Sequence, residues 1–324
     1  MYTSEQLLEK VKDSLADIKF NKKPIKLYEP ITYFFSLGGK RIRPIMALMA
    51  CDMFGGELET AINPAIALEI FHNFTLLHDD IMDNAPIRRG KETVFKKWNS
   101  NVAILSGDTM FALAYKFLIK TNKKYITNIL EIFTQAAIEV CEGQQYDMDF
   151  ETRNDVSESE YIEMIRLKTS VLIAASLKTG AVLGNANKKD VETIYKFGEC
   201  VGIAFQLQDD LLDVYGNQDM FGKKIGGDIV INKKTYLYIK ALQEAKNKDL
   251  DDLNYYFSSL NFIPEEKIKN ITSIYDKLKV KDFTNVLINE YYNKALYYLS
   301  ELSINENRKN ILKKYSDLLM NRNF

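Results

Sequence analysis

One pattern occurs twice in this chain, as DDIMD at residues 79–83 and as DDLLD at residues 209–213. Each copy lies inside a long apolar stretch whose spacing predicts a helix. In a helix, residues three or four positions apart share a face, so each copy presents three carboxylates at one place. A single copy is weak evidence, but two copies on apolar helices indicate a shared chemical task.

Three carboxylates at one place repel each other unless cations lie between them. Carboxylate oxygens are hard ligands and favour a hard divalent ion such as magnesium, held jointly with a phosphate group. The residues that we expect to bind magnesium are Asp79, Asp80, Asp83, Asp209, Asp210 and Asp213. The repeated pattern therefore predicts a site for magnesium and a phosphate-bearing ligand.

The composition is that of an ordinary globular protein with a large core. Of the 324 residues 46% are hydrophobic, and the net charge of −1 leaves no basic surplus that would suggest a nucleic-acid partner. The three cysteines form no CxxC pair, which favours buried thiols. The chain opens with no basic and apolar leader and has no apolar run of about 18 residues, so we expect no signal peptide, no membrane span and a cytoplasmic location.

Helical spacing dominates the rest of the chain. No proline occurs between residues 87 and 263, and apolar residues recur there at i, i+3 and i+4. The predicted helices include residues 101–120, 125–150, 157–183 and 188–215. A further helix is expected to start at Pro64 and to end near Asn84. No hairpin pattern appears, so we predict an all-α fold without a sheet, as a single domain over residues 1–324.

Basic residues cluster at two places in the chain. The segment KRIR at residues 40–43 follows Gly38-Gly39 and leads into a helix at Pro44. A glycine-rich turn, a cluster of cations and a helix N-terminus together form an anion site, although a solvated charged loop is the alternative. Arg88 and Arg89 follow the first acidic pattern and add two cations beside it. Metal ions and arginines in this arrangement suit a diphosphate.

Further polar residues lie on predicted helices and in the polar stretch after the second acidic pattern. Lys168 falls inside an apolar helix, where a lysine more often extends to solvent. Lys223 and Lys233 belong to a glycine-rich stretch that could close over an anion. The chain has two histidines, which favours a core or anion-binding role for His72 over a zinc site. The remaining polar candidates on helix faces are Thr169, Gln144, Asp147 and Gln206.

Taken in order, these motifs resemble those of the trans-isoprenyl diphosphate synthases, which make geranyl, farnesyl, geranylgeranyl and longer prenyl diphosphates. The matching stretches are GGKRIRP at 38–44, LHDDIMD at 77–83, RRG at 88–90, GQ at 143–144, KT at 168–169, FQLQDDLLD at 205–213, and Gly222-Lys223 with Gly226 and Asp228. The resemblance implies an all-helical bundle of the isoprenoid-synthase type around a central active-site cavity, usually as a homodimer.

The resemblance also implies a role for each matching residue. Asp79, Asp80 and Asp83 would bind magnesium ions that hold the allylic diphosphate, and Asp209, with Asp210 and Asp213 behind it, would bind a further ion, giving three per site. The allylic diphosphate would be contacted by Arg88, Lys168, Lys223 and Lys233. The diphosphate of the second substrate, isopentenyl diphosphate, would be held by Lys40, Arg43, His72 and Arg89. The reacting centre would be lined by Thr169, Gln206, Gln144 and Asp147.

The implied reaction is a head-to-tail condensation. A carbon–oxygen bond of the allylic diphosphate breaks, and magnesium ions and cationic side chains stabilise the leaving group. The double bond of isopentenyl diphosphate attacks the allylic cation, a proton passes to the departed diphosphate, and a dry apolar cavity keeps water away. The residues expected to act in catalysis are Asp79, Asp80, Asp83, Lys168, Thr169, Gln206 and Asp209.

Product length is expected to depend on the helix that carries the first acidic pattern. One helical turn is about 5.4 Å, so Phe74 and Thr75 lie about one turn below Asp79. In the family, large aromatic residues at these two positions stop chain growth early, and Thr75 is small. Phe71 lies a further turn down and is a candidate floor. We therefore expect a product of medium length, with C20 favoured over C15.

Two other functions stay open at this point. A terpene cyclase shares the fold and the first DDxxD, but its second metal motif typically differs and it needs no second diphosphate site. A non-catalytic partner subunit of another prenyl synthase typically lacks one or both aspartate motifs. Both motifs are intact here, and Lys40 with Arg43 favours a second diphosphate site, so the synthase is the preferred interpretation.

Overall fold

The computed structural model describes residues 1–20, 22–216, 225–258 and 262–321. Gly222 and Lys223, two matches to the family motifs, lie outside these described residues. The chain forms two compact units that interleave along the sequence. Unit 1 consists of Met1–Ala136, Leu172–Tyr195 and Leu299–Tyr315, and unit 2 consists of Ala137–Val171, Lys196–Tyr298 and Ser316–Phe324. The single domain over residues 1–324 stays a prediction.

Helices account for nearly all of the regular structure, which confirms the predicted all-α class. The first half contains α1 (Ser4–Ala16), α2 (Ile25–Ser36), α3 (Ile42–Met53), α4 (Leu58–Met82), α5 (Val94–Lys97), α6 (Ser100–Leu118) and α7 (Ile126–Thr152). Next come α8 (Glu158–Ile165), a π-helical turn (Arg166–Ser170), α9 (Val171–Leu183) and α10 (Lys188–Tyr215). The last are α11 (Gly227–Val230), α12 (Tyr236–Glu244), α13 (Lys248–Ser258), α14 (Pro264–Lys277), α15 (Val280–Ser300) and α16 (Glu306–Met320). Within the described ranges, no helix has the length and apolar character needed to cross a membrane.

Helix α4 carries the first acidic pattern and is buried along much of its length. It packs against α3 and α6, and its buried side chains include Leu68, Ile70 and Phe71. The predicted start at Pro64 is wrong, because the helix begins at Leu58 and contains Pro64 in its second turn. Apolar packing of the first turns outweighs the single backbone hydrogen bond that a proline cannot donate. The helix therefore reaches further from the acidic pattern than the sequence suggests.

A short hairpin follows α4, within the otherwise helical fold, where we expected no sheet. Its strands are β1 (Ile87–Arg88) and β2 (Lys91–Glu92), which pair antiparallel. The two-residue turn has positive φ at Arg89 (52°) and Gly90 (74°), as a type I′ hairpin turn requires. Strands of two residues with polar neighbours lack the alternating apolar pattern that predicts a hairpin. The hairpin brings Arg88 back towards the end of α4.

The core of unit 2 surrounds the second acidic pattern, which lies on α10. Buried residues of this core include Tyr161, Leu207, Leu237, Ile271 and Tyr275. The helix predicted over residues 157–183 is interrupted by the π-helical turn, which contains Lys168 and Thr169. A π-helical turn inside an α-helix often marks a functional site.

Candidate active site

The first acidic cluster, Asp79, Asp80 and Asp83, lies where α4 ends. Asp83 caps the helix, because its backbone N–H donates to the carbonyl of Asp79 at 2.9 Å. The three carboxylates differ in environment: Asp83 is exposed, Asp79 is half-buried and Asp80 is buried, with 1% of its surface accessible. The cluster therefore has a solvent side and a protein side.

Arg88 neutralises the protein side of this cluster. Its Nε lies 2.7 Å from Asp80 Oδ1, and its terminal nitrogen lies 3.6 Å from Asp79 Oδ2. Burial raises the pKa of Asp80 to about 6, although the Arg88 guanidinium acts in the opposite direction. Arg88 thus contacts two of the three carboxylates of the cluster.

The donors of the first cluster suit magnesium. Asp80 Oδ2 is buried, and the described structure shows no hydrogen-bond partner for it. Among the described residues, no three acidic, histidine or cysteine side chains are gathered closely enough to hold a metal ion by themselves. Magnesium commonly takes one or two protein carboxylates and completes its coordination with waters and substrate phosphates. Asp79 and Asp80 would therefore hold it together with a phosphate ligand.

A second group of side chains in unit 1 is strongly basic. Arg43, at the start of α3, places its terminal nitrogen 3.0 Å from Nε2 of His72 on α4. Arg89 donates to the carbonyl of Gly38, so the hairpin turn contacts the glycine-rich loop. The exposed Lys40 belongs to the same loop. Four predicted anion-binding residues thus lie on three neighbouring segments of one unit.

His72 is neutral in this environment. Burial, and then the positive charges of Arg43, Arg89, Arg88 and Arg41, hold its pKa well below the ordinary value. Arg43 can therefore donate to the unprotonated Nε2. A neutral imidazole among several guanidinium groups adds no repulsion between the cations, an arrangement that suits an anion.

A buried ion pair, which sequence reasoning missed, fixes the glycine-rich loop to α4. Arg41 adopts a left-handed backbone conformation (φ 54°) at the start of α3, and its guanidinium pairs with Glu69. Glu69 also accepts a hydrogen bond from Asn73 Nδ2 at 2.9 Å. The signal available in the sequence was a single acidic residue inside the apolar run around Glu69. This pair orients the loop that carries Lys40 and leads into Arg43 at the start of α3.

The second acidic cluster, in unit 2, is also divided between two environments. Asp210 is buried and accepts hydrogen bonds from the hydroxyl of Tyr161 and from Gln206 Nε2, the latter at 3.0 Å. Burial, reinforced by the charge of Asp228, raises the pKa of Asp210 to about 7. Asp213 accepts the backbone N–H of Asp228 at 3.0 Å, and Asp209 is half-buried. Asp209 is thus the most accessible of the three carboxylates.

Two lysines of unit 2 share one carboxylate. Lys168 Nζ lies 2.6 Å and Lys233 Nζ 3.7 Å from Asp147 Oδ2. Burial alone would raise the pKa of Asp147, but the charges of Lys233 and Lys168 outweigh it and hold the pKa below its ordinary value. Asp147 therefore stays ionised and keeps the two ammonium groups together.

The other polar candidates of unit 2 are Thr169, Gln206 and Gln144. Thr169 donates its hydroxyl hydrogen to Gln206 Oε1 at 3.0 Å, which links the π-helical turn to Asp210 through Gln206. Gln144 Nε2 is buried, and no hydrogen-bond partner for it is present in the described structure. Tyr161 completes this network, because its hydroxyl on α8 donates to Asp210 on α10. No pattern in the local sequence predicts this contact between two helices.

An aromatic cluster of unit 1 contains two of the three predicted length-determining residues. Phe74 stacks on Phe111 of α6 with ring centroids 5.3 Å apart, and Phe71 lies 5.5 Å from Phe74. Phe71 is fully buried, whereas Phe74 and Thr75 are half-buried. Thr75 donates its hydroxyl hydrogen to the carbonyl of His72 at 2.8 Å. Phe111 was absent from the sequence-based candidates because it lies on another helix.

Comparison with known proteins identifies close relatives over the whole chain. The sequence profile of the polyprenyl synthetase family matches residues 24–275. A crystal structure of a geranylgeranyl pyrophosphate synthase superposes with a TM-score of 0.93 and 43% identity, covering 100% of both chains. The geranylgeranyl pyrophosphate synthase of Geoglobus acetivorans is 35% identical, covering 96% of this chain and 96% of its own. A geranylfarnesyl diphosphate synthase of Aeropyrum pernix is 33% identical, covering 92% and 95%. These similarities confirm the predicted family and its helical fold.

The neutral state of His72 can be tested by NMR, because the chain has only two histidines. With its pKa depressed, His72 should not titrate as pH falls from 8 to about 6, where an ordinary histidine gains a proton. Adding inorganic diphosphate should raise its pKa, since the anion offsets the surrounding arginines. A His78→Asn variant assigns the signals. A His72 pKa near its ordinary value in the free protein would contradict the burial of His72 among these arginines.

Proposed function

The chain belongs to the polyprenyl synthetase family, and on that premise we propose that it is a prenyltransferase that condenses isopentenyl diphosphate with an allylic diphosphate. The observation that carries this proposal is the presence, within unit 1, of two separate anion-binding groups. One is the acidic cluster with Arg88, which suits a metal-bound diphosphate, and the other is the basic group of Arg43, His72 and Arg89. A reaction that joins two diphosphate esters needs both.

The first group would bind the allylic substrate. Asp79, Asp80 and Asp83 provide oxygen ligands for magnesium, and Arg88 lies beside them to contact the diphosphate. Bound magnesium, which we propose at three ions per site, would stabilise the negative charge that develops on the leaving diphosphate. Arg88 would add to this stabilisation, because its guanidinium can shift from carboxylate to diphosphate oxygens at little change in its own hydrogen bonding.

The second group would bind isopentenyl diphosphate. Arg43 and Arg89 provide guanidinium groups that match phosphate oxygens, and the exposed Lys40 adds an ammonium group. His72, neutral in the free protein, would accept a hydrogen bond from Arg43 and so orient it. A terpene cyclase has no use for such a second site, which is why this group favours a synthase.

In unit 2, Lys168 and Thr169 of the π-helical turn would act on the reacting substrate. Their partners are Asp147 and Gln206, respectively. Lys168 and Lys233, held together by Asp147, would contact the allylic diphosphate, and Lys223 is proposed for the same role from the family motif. Asp209 would hold a further magnesium ion, with Asp210 and Asp213 behind it. Thr169, Gln206 and Gln144 would face the cation with oxygen dipoles.

The chemical steps balance without a protein base. The allylic carbon–oxygen bond breaks and its electron pair leaves with the diphosphate. The double bond of isopentenyl diphosphate forms the new carbon–carbon bond, and the proton lost in restoring a double bond passes to the released diphosphate. The protein's part is to bind both esters, stabilise the leaving group and exclude water.

For product length we propose C20. Thr75 leaves space one turn below Asp79, and Phe74 and Phe111 form a stacked pair that would stop a longer chain. Phe71 is fully buried behind this pair, so it would support the floor without forming its surface. The geranylgeranyl pyrophosphate synthases among the relatives support this length.

We also propose a homodimer. Helix α6 leaves Ile104 and Leu105 with 44% and 58% of their surface exposed, and Ile119, directly after the helix, is 65% exposed. Apolar side chains exposed along one helix commonly mark an interface with another chain.

Leu105→Glu should therefore halve the mass measured by sedimentation equilibrium. A wild-type chain that sediments as a monomer would exclude the dimer.

The first prediction for catalysis concerns Asp79. Asp79→Asn removes a charged magnesium ligand and should lower kcat/KM roughly a hundredfold or more, because stabilisation of the leaving group is lost. Incorporation of labelled isopentenyl diphosphate into acid-labile product measures this, and circular dichroism checks the fold. Asp17→Asn, an exposed residue that follows α1, is the matched control. Near-normal turnover by Asp79→Asn would refute the metal assignment.

The second prediction concerns product length. Phe74→Ala and Phe111→Ala each remove one ring of the stacked pair and should shift the main product from C20 to longer chains, as measured by mass spectrometry with excess isopentenyl diphosphate. Phe117→Ala, on the same helix as Phe111, is the matched control and should leave the product unchanged. If the wild-type enzyme stopped at C15 or passed C25, the C20 proposal would fail. Unchanged products in both variants would place the floor on another helix.

A further inference from the structure

The π-helical turn of unit 2 lies against two helices, and a glycine stands at each contact. The turn spans Arg166–Ser170 between α8 and α9, and the N–H of Val171 donates to the carbonyl five residues earlier, that of Arg166. The Ser170 hydroxyl donates to the carbonyl of Ile165 at 3.3 Å. A π-helical turn is wider than an α-helical one, so it needs more room from its neighbours.

Gly143 of α7 provides this room on one side. A Cβ atom at this position would lie 2.3 Å from the backbone nitrogen of Lys168 and 2.7 Å from its Cα. Both distances are far below van der Waals contact, and backbone atoms cannot turn aside as the end of a side chain can. Any residue larger than glycine at position 143 would therefore displace the π-helical turn or the helix α7.

Gly202 of α10 provides the room on the other side. A Cβ atom here would lie 2.5 Å from Cα and 2.8 Å from Oγ of Ser170. Gly143 and Gly202 both lie inside regular helices, where glycine is less favourable than alanine. Their presence at both contacts is explained by the close approach of the π-helical turn.

The same spacing relates each glycine to a polar residue of the site. Asp147 follows Gly143 by four residues on α7 and binds Lys168 at 2.6 Å. Gln206 follows Gly202 by four residues on α10 and binds Thr169 at 3.0 Å. Residues four apart lie one above the other on a helix face. Each flanking helix thus carries a glycine that leaves space for the π-helical turn. About one helical turn further along, the same helix carries a side chain that binds a residue of the π-helical turn.

We propose that Gly143 and Gly202 are positioning residues, which hold the π-helical turn where Lys168 meets Asp147 and Thr169 meets Gln206. This inference rests on the proposed function, because it assigns these two pairs to the reacting substrate. Neither glycine has a side chain that could bind a substrate. They act through the distance between backbones, since a displacement of about 1 Å at a reacting group can lower a rate by roughly a hundredfold.

Kinetics of Gly143→Ala and Gly202→Ala provide the first test. Gly143→Ala should raise KM for the allylic diphosphate at least tenfold and leave KM for isopentenyl diphosphate unchanged, because Lys168 is displaced and the basic group of unit 1 is not. Gly202→Ala should lower kcat at least tenfold through Thr169. A purely structural defect would instead lower the active fraction and leave both KM values unaltered.

Gly180→Ala is the matched control. Gly180 also lies inside a helix, α9, and a Cβ there would lie 2.0 Å from the carbonyl oxygen of Ala47, so the substitution is as crowded but lies in unit 1. It should lower Tm without the selective change in KM. If the control reproduces the kinetic pattern of Gly143→Ala, the positioning role is excluded.

A double-mutant cycle tests whether Gly202 acts through Thr169. Thr169→Val in the wild-type background should reduce kcat, whereas in the Gly202→Ala background it should reduce kcat less than twofold further. The same cycle with Gly180→Ala should be additive. Additive effects in the Gly202 cycle would overturn the inference.

Hydrogen exchange gives a readout that does not depend on activity. Amide protection across residues 166–171 should fall in Gly143→Ala and Gly202→Ala and stay unchanged in Gly180→Ala. Unchanged protection in both variants would overturn the inference even if the wild-type chain proved inactive, which is the separate failure of the proposed function. If the alanine variants do not fold, Ser170→Ala loosens the same turn by removing a hydroxyl and should give the same loss of protection and the same fall in kcat.

Discussion

Carboxylates buried in apolar helices are the constraint on which both units depend. An unpaired carboxylate is strongly destabilising away from water, so each buried acid must be given cations or hydrogen-bond donors. Asp80 and Glu69 in unit 1 and Asp147 and Asp210 in unit 2 all follow this rule. The partners of these acids come from other segments, and their placement determines how the loops and helices of each site are arranged.

The two units satisfy this constraint in different ways. Unit 1 uses guanidinium groups: Arg88 returns on a hairpin to Asp80, and Arg41 enters from the glycine-rich loop to Glu69. Around Asp210, unit 2 uses the neutral donors Tyr161 and Gln206, and the pKa of Asp210 rises to about 7. Neutral donors hold the side chain in place without cancelling its charge, whereas an arginine does both. The charge of Asp80 is thus paired with a guanidinium, whereas neutral hydrogen-bond donors fix the position of Asp210.

The parts of this arrangement that are encoded locally could be predicted from the sequence. The two acidic patterns, the basic loop and the Lys168-Thr169 pair could be recognised because each is a short motif on a helix or at its start. The ion pair of Arg41 with Glu69 spans 28 residues, and the bond from Tyr161 to Asp210 spans 49. Spacing within a helix carries no information about such pairings. The π-helical turn was equally inaccessible, because residues 157–183 have ordinary helical periodicity and the irregularity arises from contacts with other helices.

Helix α4 shows why sequence motifs within a single helix are informative about the site. His72, Thr75 and Asp79 follow each other at intervals of three and four residues, so they lie along one face of a rigid rod. At 1.5 Å per residue, the basic group and the acidic cluster are separated by about 10 Å along the axis, with the half-buried Phe74 and Thr75 between them. The proposed order of anion site, apolar segment and metal site thus follows from positions along a single helix. A substitution between His72 and Asp79 can alter the apolar segment while the distance between the basic group and the acidic cluster stays fixed. Under the proposed function, product length can then vary without a change in the residues that carry the chemistry.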